Sequence, residues 1–266
     1  MVSINNPYYV YVNSRNRLDG TDSDFSYNVK FPPGLDVDHV TVLNALIPKS
    51  YYLIQLGHNT FDLQEGNSIV TIPIPVGNYL LNALRLTLQG LLNNYSPNRW
   101  TYAVTYPSSS GADTGKYTYS VIGFSSPPAI IVQDHVFEPL GFSQNTVNTF
   151  NNIGVLESAN VLKLQSEDRL LIHSNIVNNP GFDDILVSIN AATNVNFSSI
   201  SYVNYAPEYN AKLLNKNLNT YRFTILNEDG RILALNGLNM NITLLFYKRD
   251  IALQQIRDFI KVITEK

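Results

Sequence analysis

The chain has 266 residues, 44% of them hydrophobic and 15% charged, with 17 Tyr, no Cys and a formal charge of -3 at neutral pH. Such a length buries a sizeable core in one large or two small domains; the lack of Cys excludes disulfides and thiolate metal sites, and the weak negative charge excludes a global electrostatic grip on nucleic acid. No apolar run approaches the roughly 20 residues that span a bilayer, and Met1 to Asn5 opens no signal-peptide pattern, so the expectation is a soluble, unsecreted protein. A surface poor in ions must be covered by Asn, Ser, Thr and Tyr, which are cheap to desolvate against a neighbour, and composition therefore points to assembly.

In chain order, Tyr8 to Val12 is aromatic and β-branched and predicts a first strand, followed by a polar loop from Asn13 to Asp24. Phe25, Tyr27, Val29 and Phe31 alternate with polar residues at half-buried strand spacing and stop at Pro32-Pro33-Gly34. His39 to Ile47 is more continuously apolar, a strand buried on both faces. Tyr51 to Leu56 and Thr60 to Leu63 predict a hairpin around Gly57-His58-Asn59. The texture changes at Asn67. A strand over Ser68 to Ile74 leads through Pro75-Val76-Gly77-Asn78 into an amphipathic helix over Tyr79 to Asn93, with Leu80, Leu81, Leu84, Leu88, Leu91 and Leu92 on one side and Asn78 as its cap. Strands over Trp100 to Tyr106, Lys116 to Gly123 and Ala129 to Val132 follow, then a helical turn over Val136 to Leu140. These predict an α+β insertion over residues 68–152, ended by an Asn-rich link at Asn145 to Asn152.

Period-two runs resume at Val161 to Leu164, Leu170 to Ser174, Ile185 to Ile189, Ile200 to Tyr205, Tyr221 to Leu226 and Ile242 to Tyr247. Four to five strands before the insertion and five to six after it suit an eight-stranded antiparallel jelly-roll sandwich over 1–67 and 153–248. At the end, Ile251, Ala252, Gln255, Ile256, Phe259, Ile260 and Ile263 form one apolar stripe and predict an amphipathic helix over 249–266.

The stretch Tyr221 to Tyr247, with its Arg222-Phe223 strand, Asn227-Glu228-Asp229-Gly230 turn and Leu235-Asn236-Gly237-Leu238-Asn239, resembles the C-terminal part of small jelly-roll capsid proteins of eukaryotic double-stranded DNA viruses. The group is the penton and minor capsid proteins of virophages, Polinton-like viruses and adenovirus-like elements. Tyr11 to Arg17, Ile74 to Tyr79 and Leu140-Gly141-Phe142 are similar in the same order. The resemblance implies a structural, non-enzymatic virion protein, most closely the pentameric vertex capsomer, made in the host cytoplasm, with neighbouring major and minor capsid proteins as partners. It implies no cofactor and no small-molecule substrate. A minor or cement capsid protein is the nearest alternative reading. A carbohydrate-binding jelly roll, with Trp100 and exposed Tyr stacking on sugars, is another.

The residues that could carry chemistry are dispersed. His39, His58, His135 and His173 form no metal-ligand spacing, and His135 with Glu138 supplies only two ligands where zinc uses three or four. Asp19, Asp22 and Asp24 lack the spacing of a calcium loop. No Ser lies in a nucleophile elbow and no Gly-rich loop suits phosphates. Asp183-Asp184 and Glu228-Asp229 are sequence neighbours, which strands point to opposite faces. The expectation is no catalytic, cofactor-binding or metal residues. Arg15, Arg17, Arg222 and Lys248-Arg249 are the places where the resemblance allows weak contact with a genome or inner layer.

Overall fold

The computed structural model describes residues 4–106, 113–133, 135–165, 167–177, 184–192, 197–205, 211–214, 216, 218–249 and 256. Residues 107–112, Asp183 and nearly all of the expected C-terminal helix lie outside them; Arg249 itself closes the last strand. The chain divides into two compact units, Met1–Tyr51 with Glu167–Lys266, and Tyr52–Ser166.

The first unit opens with β1 (Ile4–Asn13), a 3-10 turn over Ser14–Asn16, β2 (Asp19–Gly20), β3 (Asp24–Asn28) and β4 (His39–Pro48). The second unit then supplies β5 (Thr60–Glu65), β6 (Ser68–Pro73), α1 (Leu81–Tyr95), β7 (Thr101–Thr105), β8 (Thr118–Ile122), β9 (Ala129–Val132), α2 (Phe137–Leu140), β10 (Thr146–Thr149) and β11 (Val155–Glu157). The first unit resumes with β12 (Arg169–Ser174), β13 (Ile185–Asn190), β14 (Ser199–Val203), β15 (Ala211–Lys212), β16 (Thr220–Leu226) and β17 (Asn241–Arg249).

One sheet of the first unit runs β1-β17-β4-β14, and the other runs β13-β12-β16-β3 with β2 at its edge. Counting only the eight longer strands in chain order, the sheets are 1-8-3-6 and 2-7-4-5, every pairing antiparallel. This order is a jelly roll, two interleaved Greek keys, with the second unit inserted between its third and fourth strands. Alternation fills the space between the sheets. Val12, Val42, Ile47, Ile242, Leu244 and Phe246 come from one side, and Phe25, Leu170, Ile172, Phe223 and Ile225 from the other. Phe25 stacks on Phe223 across the β3–β16 ladder at 5.8 Å, so the Arg-Phe-x-Ile strand seen in the sequence is a core strand.

The inserted unit is α+β, with sheets β10-β9-β5-β6 and β11-β8-β7 and its own core of Leu84, Leu88 and Leu92 against Tyr102, Tyr117, Tyr119, Phe142 and Phe150. Its limits are wider than the 68–152 expected from sequence. β5 belongs to it, paired with β6 through a two-residue turn at Gly66-Asn67 and with β9 on its other side. Gly66 takes φ 59°, the left-handed conformation such a turn needs. The sequence change at Asn67 is therefore a hairpin tip rather than a boundary. Residues 51–56 form no strand of the expected hairpin: Tyr51 belongs to the first unit, and within the second Ile54 makes a single bridge to Gly77. The Asn-rich link contains β10, which pairs with β9, and 161–164 forms no strand. Asn78 does not cap α1: its Oδ1 accepts the Leu53 N–H at 2.8 Å, and the helix begins at Leu81.

Candidate interaction surfaces

The outer face of the β1-β17-β4-β14 sheet follows from its registers. Tyr11, Thr243, Asn44 and Val203 form one row across all four strands, Asn13, Asn241, Leu46 and Ser201 the next, and Tyr9, Leu245 and Thr41 a third. None of these eleven side chains is charged at neutral pH. Tyr11 is 74% exposed, Tyr9 50%, Val203 47% and Leu46 44%, while Leu245 and Thr41 are buried. Thr243 Oγ1 donates to Asn44 Oδ1 at 2.8 Å, so part of the row is already hydrogen-bonded within itself. These three rows, free of ions, have little desolvation to lose on burial, the property that distinguishes the centre of a protein interface from ordinary surface; charge enters only at the next row, where Tyr247, His39 and Lys212 align.

The free edge of that sheet is partly closed. Tyr27 Oη donates to the Tyr11 carbonyl at 3.1 Å and Tyr8 Oη to the Lys30 carbonyl at 3.0 Å, and these tyrosines line a shallow trough beside β1 of about 370 Å³. A carbonyl taken by a phenol is not available to an added strand, so β1 is shielded against indiscriminate strand pairing.

At one end of the jelly roll, the loop after β1 meets the loop before β17. The Ser14 N–H donates to Met240 O at 3.1 Å, Met240 N–H to Ser14 Oγ at 3.0 Å, and Gly237 N–H to Asp22 Oδ2 at 2.6 Å. Two of the sequence stretches singled out above, Tyr11 to Arg17 and Leu235 to Asn239, thus come together. Between them runs an open groove of about 750 Å³ lined by Arg15, Arg17, Asp22, Ile232, Asn236 and Asn239 among others.

The other candidate residues stay apart. His39 Nδ1 lies 2.7 Å from Asp38 Oδ1 with its ring stacked on Tyr247 at 5.8 Å, and His173 Nδ1 lies 2.6 Å from Asp184 Oδ1. His58 and His135 meet edge to face at 5.0 Å, a pair that sequence spacing could not show. Glu138 pairs with Lys163. Asp24 accepts from Arg222 and Thr224, while Asp22 serves the groove loop, so the three carboxylates of Asp19 to Asp24 are not pooled. Among the described residues no three His, Asp or Glu side chains gather as a metal site would require. Arg222 is spent on Asp24 and Lys248 on Asp36. Trp100 is 8% exposed, edge-on to Phe124 at 6.3 Å, and so is not the open stacking platform that a sugar site needs.

No protein-family model matches the sequence, and no curated protein matches it. Among solved structures, the chain is similar to the mavirus penton protein, with 12% identity, a TM-score of 0.45, and 90% of this chain and 99% of that one covered. It is also similar to a chain in the structure of the Sputnik virophage, with 11% identity, a TM-score of 0.42, and 91% and 98% covered.

Proposed function

We propose that this protein is a structural capsid subunit that assembles with copies of itself around a fivefold axis, as the vertex capsomer of an icosahedral virion. The observation that carries the reading is the three uncharged rows on the outer face of the β1-β17-β4-β14 sheet. Jelly rolls of this strand order also serve lectins and cupin enzymes. A cupin works through clustered His and carboxylate ligands, and a lectin through open aromatic platforms; here no three His, Asp or Glu gather among the described residues, and Trp100 is enclosed. Rows of Tyr, Asn, Thr and Val suit burial against another protein surface. One such contact repeated by rotation closes into a ring. In the virion, neighbouring major and minor capsid proteins would bury what the ring leaves open.

Native mass spectrometry tests this at about 0.1–1 mM protein, because a ring interface near the lower size limit associates only at high concentration. Pentamers are expected, and Tyr11→Glu together with Val203→Glu should weaken them at least about tenfold, since each buries an unpaired charge, with the melting temperature unchanged. Truncation after Lys248 should leave the ring intact. A protein that stays monomeric throughout, or a ring indifferent to both glutamates, overturns the assignment of this face.

A further inference from the structure

The groove between the loop after β1 and the loop before β17 holds two arginines that pair with no carboxylate among the described residues. Arg17 Nη1 donates to Ser14 O at 2.9 Å and Nε to Gly20 O at 3.2 Å, which fixes the guanidinium in place using neutral carbonyls and leaves its charge uncancelled. Arg15, on the 3-10 turn, is exposed, and among the described residues its guanidinium has no carboxylate within ion-pair distance. Arg169, Arg222 and Arg231 each face a carboxylate, whereas Arg85, like Arg17, is held by neutral oxygens, those of Asn82 and Val104. The lone acid lining the groove, Asp22, already accepts the Gly237 N–H through Oδ2.

The rest of the lining is of a different kind. Asn236 donates to Ser50 O and Asn239 accepts from Ser14 Oγ, which pins both groove-lining amides while using only one polar atom of each among the described residues. Ile232, 49% exposed, and Ala234 add an apolar flank. A volume of about 750 Å³ is far larger than a single inorganic anion needs and falls in the range of small-ligand pockets. A carboxylate alone would use the guanidinia. A short peptide bearing that carboxylate would also use the amides, for its backbone, and the apolar flank, for a neighbouring side chain.

We infer that this groove is a docking site for an acidic peptide segment of a partner protein, with Arg15 and Arg17 receiving its carboxylates. The geometry favours arginine here, since a guanidinium meets a carboxylate with two parallel hydrogen bonds. The inference stands apart from ring formation and requires no copy of the chain as partner.

The test uses the full chain and a fluorescein-labelled Glu-Leu-Glu-Leu-Glu peptide followed by fluorescence anisotropy, beside the same peptide with Gln for Glu. The acidic peptide should bind at least about tenfold more tightly than its neutral counterpart, and less tightly as salt rises. Arg15→Gln should weaken it about tenfold and Arg15→Lys less, because lysine keeps the charge and loses the fork; Arg15 is exposed, so melting temperatures should not move. Equal binding of the two peptides, no saturable binding up to about 1 mM, or an Arg15→Gln protein that binds like the parent each overturns the inference. Displacement of the peptide by millimolar inorganic phosphate as readily as by unlabelled peptide would assign the arginines to phosphate groups instead, and overturns it too.

Discussion

Asp24 sits at the start of β3 with its carboxylate 13% exposed, facing Arg222 across the ladder. The Arg222 hydrogen bonds hold its pKa below the ordinary 3.8, against the opposing effect of burial, and Thr224 Oγ1 at 2.8 Å adds to them. Asp38 is pushed up by burial, yet the His39 ring and the Arg249 N–H outweigh that and bring it below 3.8 as well. A carboxylate whose folded pKa is depressed contributes stability that is complete above its unfolded pKa and disappears as pH falls through the folded value. The melting temperature should therefore be level near neutral pH and decline below about pH 4, and Asp24→Asn should flatten that decline. Equal acid slopes for the two proteins in a thermal melt series would show the pair to be unimportant. The sequence groups Asp24 with Asp19 and Asp22, as residues of one loop, whereas its partner lies 198 residues away. Long-range ion pairs of that sort leave no local pattern. Tyrosine likewise misleads when counted: Tyr51, Tyr102, Tyr117, Tyr119 and Tyr221 are fully buried, and two cores absorb them where composition suggested a surplus for the surface. Tyr102 shows the cost, its phenol driven far above its usual pKa by burial and by the buried Glu65 carboxylate to which it donates at 2.9 Å.

Among the elements, α1 does more than cover a core. Strand β7 ends its three-stranded sheet, and its open edge is bonded by helix side chains in place of another strand. Asn93 accepts the Tyr102 N–H at 2.7 Å and donates to the Tyr102 carbonyl at 2.8 Å; Gln89 accepts from Val104 N–H at 3.1 Å and Arg85 donates to Val104 O at 3.0 Å. The match is geometric. Four helical residues rise about 6 Å and two strand residues about 6.6 Å, so positions four apart on the helix track positions two apart on the strand. Replacing Asn93 by Leu should cost about 1–3 kcal/mol, because it strands two buried backbone groups, and Gln89→Ala roughly half as much since it frees one. Chemical denaturation measures both; a loss no larger than for an exposed Asn would mean that water satisfies the edge. The sequence shows the Leu side of this helix plainly through its spacing, yet the amide side reads only as polar. The same contrast runs through the fold. Long alternating runs such as Tyr221 to Leu226 and Ile242 to Tyr247 are legible as strands, while β10 hides in Asn and Thr, which fit a strand only once β9 supplies the partner. The groove was half legible, both of its loops standing out as sequence stretches with nothing to say that they meet.

For the whole molecule, the jelly roll and the inserted unit each possess a hydrophobic core with no member in common. We predict that replacing 52–166 by a short Gly/Ser linker leaves a protein that unfolds in one cooperative transition, since closing a loop costs little more as its length changes. Removing 68–150 instead cuts through the β5–β6 hairpin and leaves Phe61 and Leu63 without their core, and that protein should aggregate. Circular dichroism melts and size-exclusion profiles distinguish the two. If the wider excision also abolishes cooperative unfolding, the jelly roll depends on its insertion.

The interleaved strand order also dictates a timetable during synthesis. Apart from the two-residue β2, strands β1, β3 and β4 pair only with β14, β15, β16 and β17, so nothing before residue 199 can complete either ladder they enter. The inserted unit, continuous from 52 to 166, contains all of its own partners. As the chain leaves the ribosome from its N-terminus, the guest is able to fold while its host is still an open set of strands, and the strand that joins β1 to β4 is the last one made.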